Sequence, residues 1–290
     1  MIKILFFVPF GSFRVHNQLD AIAASALRIR GCDVRIIGCD GIYKNCDVLA
    51  WSAEYTFRDC ANCAASGKAF FDAFKLPHLQ LRNFLTQRDF ELAQNWADSI
   101  DPSDYSEAMY NDLPIGKWVT SSVFSYFRIT MEGLSQPRVR EVHRQFLING
   151  LLTYNAVFRI LNEYKPTNMV VFNGRFAAYR VAFEVAREYG IDVITHERGF
   201  SDDTFMLYKN NTCIDTKPIF DITNAWKNIY LTKQQLAQVK QYLTNREQGL
   251  DINFPSFYNY NTDYLKVRSK LRIPINKKVL GVFLSNQAAC

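Results

Sequence analysis

The sequence holds no stretch that would cross a bilayer. Its most apolar opening, Met1-Ile2-Lys3-Ile4-Leu5-Phe6-Phe7-Val8-Pro9, is too short for a span and lacks a signal-peptide cleavage site. No internal repeat and no low-complexity tract is present, so a repeat array or a disordered linker is not the expectation. Lys and Arg are scattered, without the runs that make nucleic-acid-binding arms. The first glycine-bearing loop, Pro9-Phe10-Gly11-Ser12-Phe13, is not G-x-G-x-x-G, and no P-loop, H-E-x-x-H or G-x-S-x-G occurs. Dinucleotide-linked hydride transfer, P-loop ATP hydrolysis and serine hydrolysis therefore lack their motifs.

What is present suits a packed globular chain. Of 290 residues, 48% are hydrophobic and 21% charged. That composition supports one large or two modest domains with a sizeable core. Aromatic content is 14%, mostly Phe and Tyr, which fits an aromatic core and also a cleft that stacks sugars or bases. The formal charge of +6 is mild and is compatible with an acidic small substrate or the anionic inner face of a membrane. With no leader or span visible, the expectation is a cytoplasmic chain with reduced thiols.

The pattern begins as strand–helix–strand: an apolar strand over Ile2–Pro9, a helix over Asn17–Arg30 and a strand over Asp33–Ile37. Leu19, Ile22, Ala23, Leu27 and Ile29 give the helix its apolar face, and Gly31 stops it. An irregular, cysteine-bearing stretch follows over Cys39–Cys63, then helical periods near Ala64–Phe74 and Thr86–Trp96. A long helical segment runs from Gly116 to about Tyr164, and Lys165-Pro166-Thr167 breaks it before a strand at Asn168–Phe172. A helix near Phe176–Tyr189 and a strand at Val193–Thr195 come next. Thr232 and Gln235 have capping-box spacing and open a helix to Glu247. A short helix is expected near Asp263–Leu271, and Lys278–Ser285 reads as another buried strand, five residues before Cys290. The division expected is one domain over 1–276 and, over 277–290, the first strand of a second.

Four thiols stand in the irregular stretch, with six residues between Cys39 and Cys46, thirteen between Cys46 and Cys60, and two between Cys60 and Cys63. A C-x-x-C turn presents two sulfurs to one side, and four such ligands complete a structural zinc site or hold an iron–sulfur cluster. The wide first pair departs from a zinc ribbon. Ordinary buried cysteines are the other reading, with disulfides third. Polar neighbours such as Asp40, Lys44, Asp47 and Asp59 favour ligation over a core role.

In open α/β sheets ligands sit beyond the carboxyl ends of the strands. The polar residues at those ends are Arg14, His16, Asn173, Arg175, His196, Glu197 and Arg198. Glu197 or His196 would serve as a general base, and Arg175 or Arg198 would hold an anionic group by paired hydrogen bonds. The competing reading makes Glu197 one half of a structural ion pair and His16 a helix-start residue. His78 and His143 are taken as structural or solvated.

Phe7-Val8-Pro9-Phe10-Gly11 with Arg14-Val15-His16, the turn at Cys39–Gly41, Cys60-Ala-Asn-Cys63, Phe172-Asn173-Gly174-Arg175 and Thr195-His196-Glu197-Arg198-Gly199 carry a family resemblance. Together they resemble bacterial capsule and surface-polysaccharide biosynthesis proteins, glycosyltransferases of the GT-B architecture with two facing Rossmann-like domains. The resemblance implies a Rossmann-like parallel sheet with flanking helices and a helical insertion, forming the acceptor-side half of such an enzyme. It implies a nucleotide-sugar donor and a glycan acceptor; basic charge with aromatic side chains permits peripheral contact with the inner membrane face to reach a lipid-linked acceptor, and the scattered Lys and Arg point to no nucleic acid. Asn173, Arg175, His196 and Glu197 would line the cleft, with Glu197 or His196 deprotonating the acceptor hydroxyl. The donor half is expected beyond Cys290, so this part alone would be inactive. The alternative from another class is a non-catalytic glycan- or nucleotide-binding module stapled by a metal at Cys39, Cys46, Cys60 and Cys63. A redox or iron–sulfur protein is a third reading.

Overall fold

The computed structural model describes residues 1–48, 57–199, 204–247 and 264–277. Its central element is the apolar run near the start, which forms strand β1 (Lys3–Phe7) and is covered on both faces. Side chains alternate across a strand. Leu5 and Phe7 accordingly enter one core cluster, and Ile4, Phe6 and Val8 enter the other. Fully burying a Phe or Leu side chain contributes about 1.5–3 kcal/mol, so this short strand anchors both layers.

The other strands are β2 (Asp33–Gly38), β3 (His78–Gln80), β4 (Asn168–Phe172), β5 (Asp192–Arg198) and β6 (Phe205–Lys209), in the order β3-β2-β1-β4-β5-β6. β1 pairs in parallel with β2 and β4, β2 with β3, and β4 with β5. The order reverses between β1 and β4, and such a switch point opens a crevice at the strands' carboxyl ends. Helices α1 (Arg14–Ile29) and α2 (Phe57–Ala73) cover one face through Ala21, Ala24 and Phe71. On the other face pack α3 (Gln87–Asp98), α4 (Ile115–Phe127), α5 (Pro137–Tyr164) and α6 (Ala177–Glu188). The expected α/β, Rossmann-like sheet with flanking helices is therefore present, and α4 and α5 form its helical insertion.

Pro at the first helical position starts α5, and Lys165 ends it in the left-handed conformation at φ 51°. Arg159 of α5 holds the start of α3, where its guanidinium donates to both oxygens of buried Asp89 at 2.7 and 2.6 Å. Asp89 also accepts from the Thr86 backbone and hydroxyl, closing the α3 capping box.

The chain divides into two units, one taking in Met1–Glu197 and Met206–Thr216, the other Arg198–Phe205 and Lys217–Leu284. Within the second unit lie α7 (Lys217–Trp226), α8 (Lys233–Glu247) and α9 (Tyr264–Lys270). In α8, Thr232 and Gln235 make both hydrogen bonds of the expected capping box. The strand expected at Lys278–Ser285, on which the second-domain boundary at 277 rests, lies outside the described residues. Among the described residues no helix is long and apolar enough to cross a membrane.

Three local expectations are corrected. Helix α1 buries Asn17, Asp20, Ala21 and Ala24, whereas Ile22 and Ile29 are 60% and 88% exposed. Helix α2 starts at Phe57, so Cys60 and Cys63 lie within a helix and not in an irregular stretch. Strand β5 runs on to Arg198 and contains His196 and Glu197, which the sequence places after the strand.

Candidate functional site

The site candidates are assembled at the β1/β4 switch point by three connections. The first is the β1–α1 loop. Asn17, buried, donates from Nδ2 to the carbonyls of Phe10 and Gly11 at 3.1 Å each, folding the loop back on the helix start. Arg14 is exposed on the first turn of α1. His16, partly buried, stacks on Phe172 at the end of β4 with ring centroids 3.7 Å apart. One turn further along α1, Asp20 meets His196 of β5: Oδ1 lies 2.9 Å from Nε2. Both side chains are buried, and the contact is an ionic one rather than a well-aligned hydrogen bond. Burial opposes protonation of His196, but Asp20 and then Glu197 outweigh it and raise its pKa.

The second connection is the β4–α6 turn. Asn173 takes φ 35° and Gly174 φ 71°, left-handed values that reverse the chain within two residues. Asn173 is a bracket. Its backbone N–H donates to the His196 carbonyl at 2.9 Å, its Oδ1 accepts the Arg175 N–H at 2.9 Å, and its Nδ2 reaches Glu197 Oε2 at 3.4 Å. Arg175 then lies over the Phe176 ring and donates from Nη2 to Ser125 Oγ of α4 at 2.8 Å. Burial lowers the Arg175 pKa, and the charges of Asp47 and Glu197 work against that.

The third is the β2–α2 connection, which brings in Asp47. This carboxyl is buried and its pKa is pushed up to about 6 by burial, against the influence of the Ser122 hydroxyl and the Arg175 charge. Neither Asp47 oxygen has a well-formed hydrogen bond. Ser122 itself accepts the Ala177 N–H at the start of α6 at 2.7 Å.

His196 and Glu197 are neighbours on one strand and so face opposite ways. His196 is sealed against Asp20, with Nδ1 buried and without a hydrogen-bond partner, whereas Glu197 is partly exposed. The structure thus brings His16, Asn173, Arg175, His196 and Glu197 to one strand end. Arg198 is exposed and falls in the second unit. The sequence did not place Asn17, Asp20, Asp47 or Ser122 at the strand-end site. The available signal was polar residues one helical turn apart beside small ones, as in Asn17, Asp20, Ala21 and Ala24.

Cys39, Cys46, Cys60 and Cys63 line one hollow of about 20 Å³ together with Phe10 and Tyr43. Among the described residues no group of three or more His, Cys, Asp or Glu side chains is placed to hold a metal ion. The C-x-x-C pair on which the zinc or iron–sulfur expectation rests lies within helix α2. The hollow has room for about one water.

No family model and no curated protein matches this chain. A solved structure described as that of a CDPS (cyclodipeptide synthase) from Fluoribacter dumoffii is similar at 10% identity and a TM-score of 0.42, over 72% of this chain and 90% of that one. So loose a likeness carries no argument about activity here. The expected membership of the surface-polysaccharide glycosyltransferases, with its capsule role, is corrected: no family model, no curated protein and no structure reported above supports it.

Proposed function

We propose that the chain is an enzyme that performs general acid–base chemistry on a small polar substrate at the β1/β4 switch point. Glu197 takes a proton from a hydroxyl or amine of the substrate. Asn173 orients it, and the Arg175 charge lies close by. His196, its pKa raised beside Asp20, lies behind the site as a positioning residue. The observation that carries this reading is the Asn173 bracket, which ties the Glu197 carboxylate and the backbone of Arg175 and His196 to one turn. A positioned acid or base contributes typically 10²–10⁴-fold to a rate.

The test uses the chain's small histidine count. Four histidines, at positions 16, 78, 143 and 196, give four sets of imidazole signals by NMR. A panel of small alcohols, amines, carboxylates and phosphate monoesters is titrated in. A binding probe is expected to move the His16 and His196 signals, leave His78 and His143 in place, and still bind Glu197→Gln while any turnover is lost. Shifts confined to His78 or His143, or turnover untouched by Glu197→Gln, would place the chemistry elsewhere.

A further inference from the structure

The four-thiol hollow is not used by the chemistry above, and its walls are unequal. Strand β2 ends at Gly38 and delivers Cys39 to the loop, which turns at Gly41 with φ 87°. Cys39 Sγ accepts the Gly41 N–H at 3.3 Å, and Cys60 Sγ lies 3.2 Å from where a Cβ on Gly41 would stand. The turn thus has Cys39 sulfur on its inside and Cys60 sulfur against its tip, and the nearby Cys60 adds to the raising of the Cys39 thiol. Cys46, buried, lines the same hollow beside Tyr43. Cys60 and Cys63 are held a helical turn apart in α2. Such i,i+3 positions keep their Cβ atoms about 5–6 Å apart, beyond the roughly 3.5–4.5 Å a disulfide needs.

We propose that Cys39 and Cys60 are an oxidisable pair that forms a reversible disulfide when the chain meets a peroxide. The peroxide transfers one oxygen to the Cys60 sulfur, giving a sulfenic acid and, from hydrogen peroxide, water. The Cys39 sulfur then attacks that sulfur; the S–O bond breaks, the hydroxyl leaves as water with the Cys39 proton, and the S–S bond forms. Two thiols lose two electrons to one peroxide. Cys60 is oxidised first because burial pushes the Cys39 thiol up to about 12 and keeps it from ionising in the resting chain.

The experiment treats the purified full chain with hydrogen peroxide, alkylates the remaining thiols, and maps linked peptides by mass spectrometry. The expected product has lost two hydrogens, links the Cys39 and Cys60 peptides, and reverts with dithiothreitol. Cys63→Ser is expected to give the same link and Cys60→Ser to lose it. A Cys60–Cys63 or Cys39–Cys46 link, or oxidation that ends in sulfinic acid with no link, overturns the proposal. Mapping on the wild-type chain decides the matter even if a variant does not fold.

Discussion

Asp20 Oδ1 lies 2.9 Å from His196 Nε2, joining helix α1 to strand β5, with the two side chains only 4% and 2% exposed. Because the folded pKa of His196 is raised above 6.5, the folded state binds its proton more tightly than the unfolded chain does. Its stabilising effect is fully present below about pH 6.5 and is lost as pH rises through the folded value. Urea denaturation across pH 5.5–9 is expected to show that decline, and His196→Gln to flatten it. Asp20→Ala, which strands a buried imidazole, should cost about 3–5 kcal/mol at pH 6.

Asp47 has the opposite character. Its folded pKa of about 6 stands above the ordinary 3.8, so ionising it works against the fold. Stability is expected to fall between about pH 4 and pH 6 on this account, by on the order of 3 kcal/mol. Asp47→Asn should remove that fall and be neutral or stabilising at pH 7. A variant that is less stable than the parent at pH 7 would mean that the Arg175 contact outweighs the burial of the charge.

Gly174 should not tolerate a side chain. Its φ of 71° is left-handed, and a Cβ there would meet Thr212 Cγ2 at 3.0 Å. Gly174→Ala is expected to cost about 1–2 kcal/mol from the backbone alone. It should also shift the His196 ring signals, since Asn173 ties that turn to the His196 carbonyl. Full stability with unmoved signals would show that the turn relaxes freely.

Much of the sheet was legible because buried parallel strands are written as short apolar runs between turn residues. Asn168–Phe172 is a strand with the bounds the sequence suggests, and the helix ending at Glu247 follows its capping box. The edges were not legible. β3 has only three residues, and β6, although Phe205–Tyr208 is an apolar run, is largely exposed at the sheet edge. The face of α1 was misjudged because apolar counting favours Ile22 and Ile29, while packing against the sheet selects small Ala21 and Ala24. The site was half visible. Asn173, Arg175, His196 and Glu197 stand at strand ends, but Asp20 and Asp47 reach them only through tertiary packing. Short strand-end motifs also misled, since any sheet of this kind presents polar residues there whatever its chemistry.

The close approach of Gly11 to Gly67 gives the fold a rigid strut. A Cβ on Gly11 would stand 2.0 Å from the Cys63 carbonyl oxygen and 2.5 Å from the Gly67 nitrogen, so main chain bears directly on main chain. No side chain lies between them to take up slack. A substitution at either glycine would therefore push α2 away from the β1–α1 loop, which leads to the helix turn carrying His16.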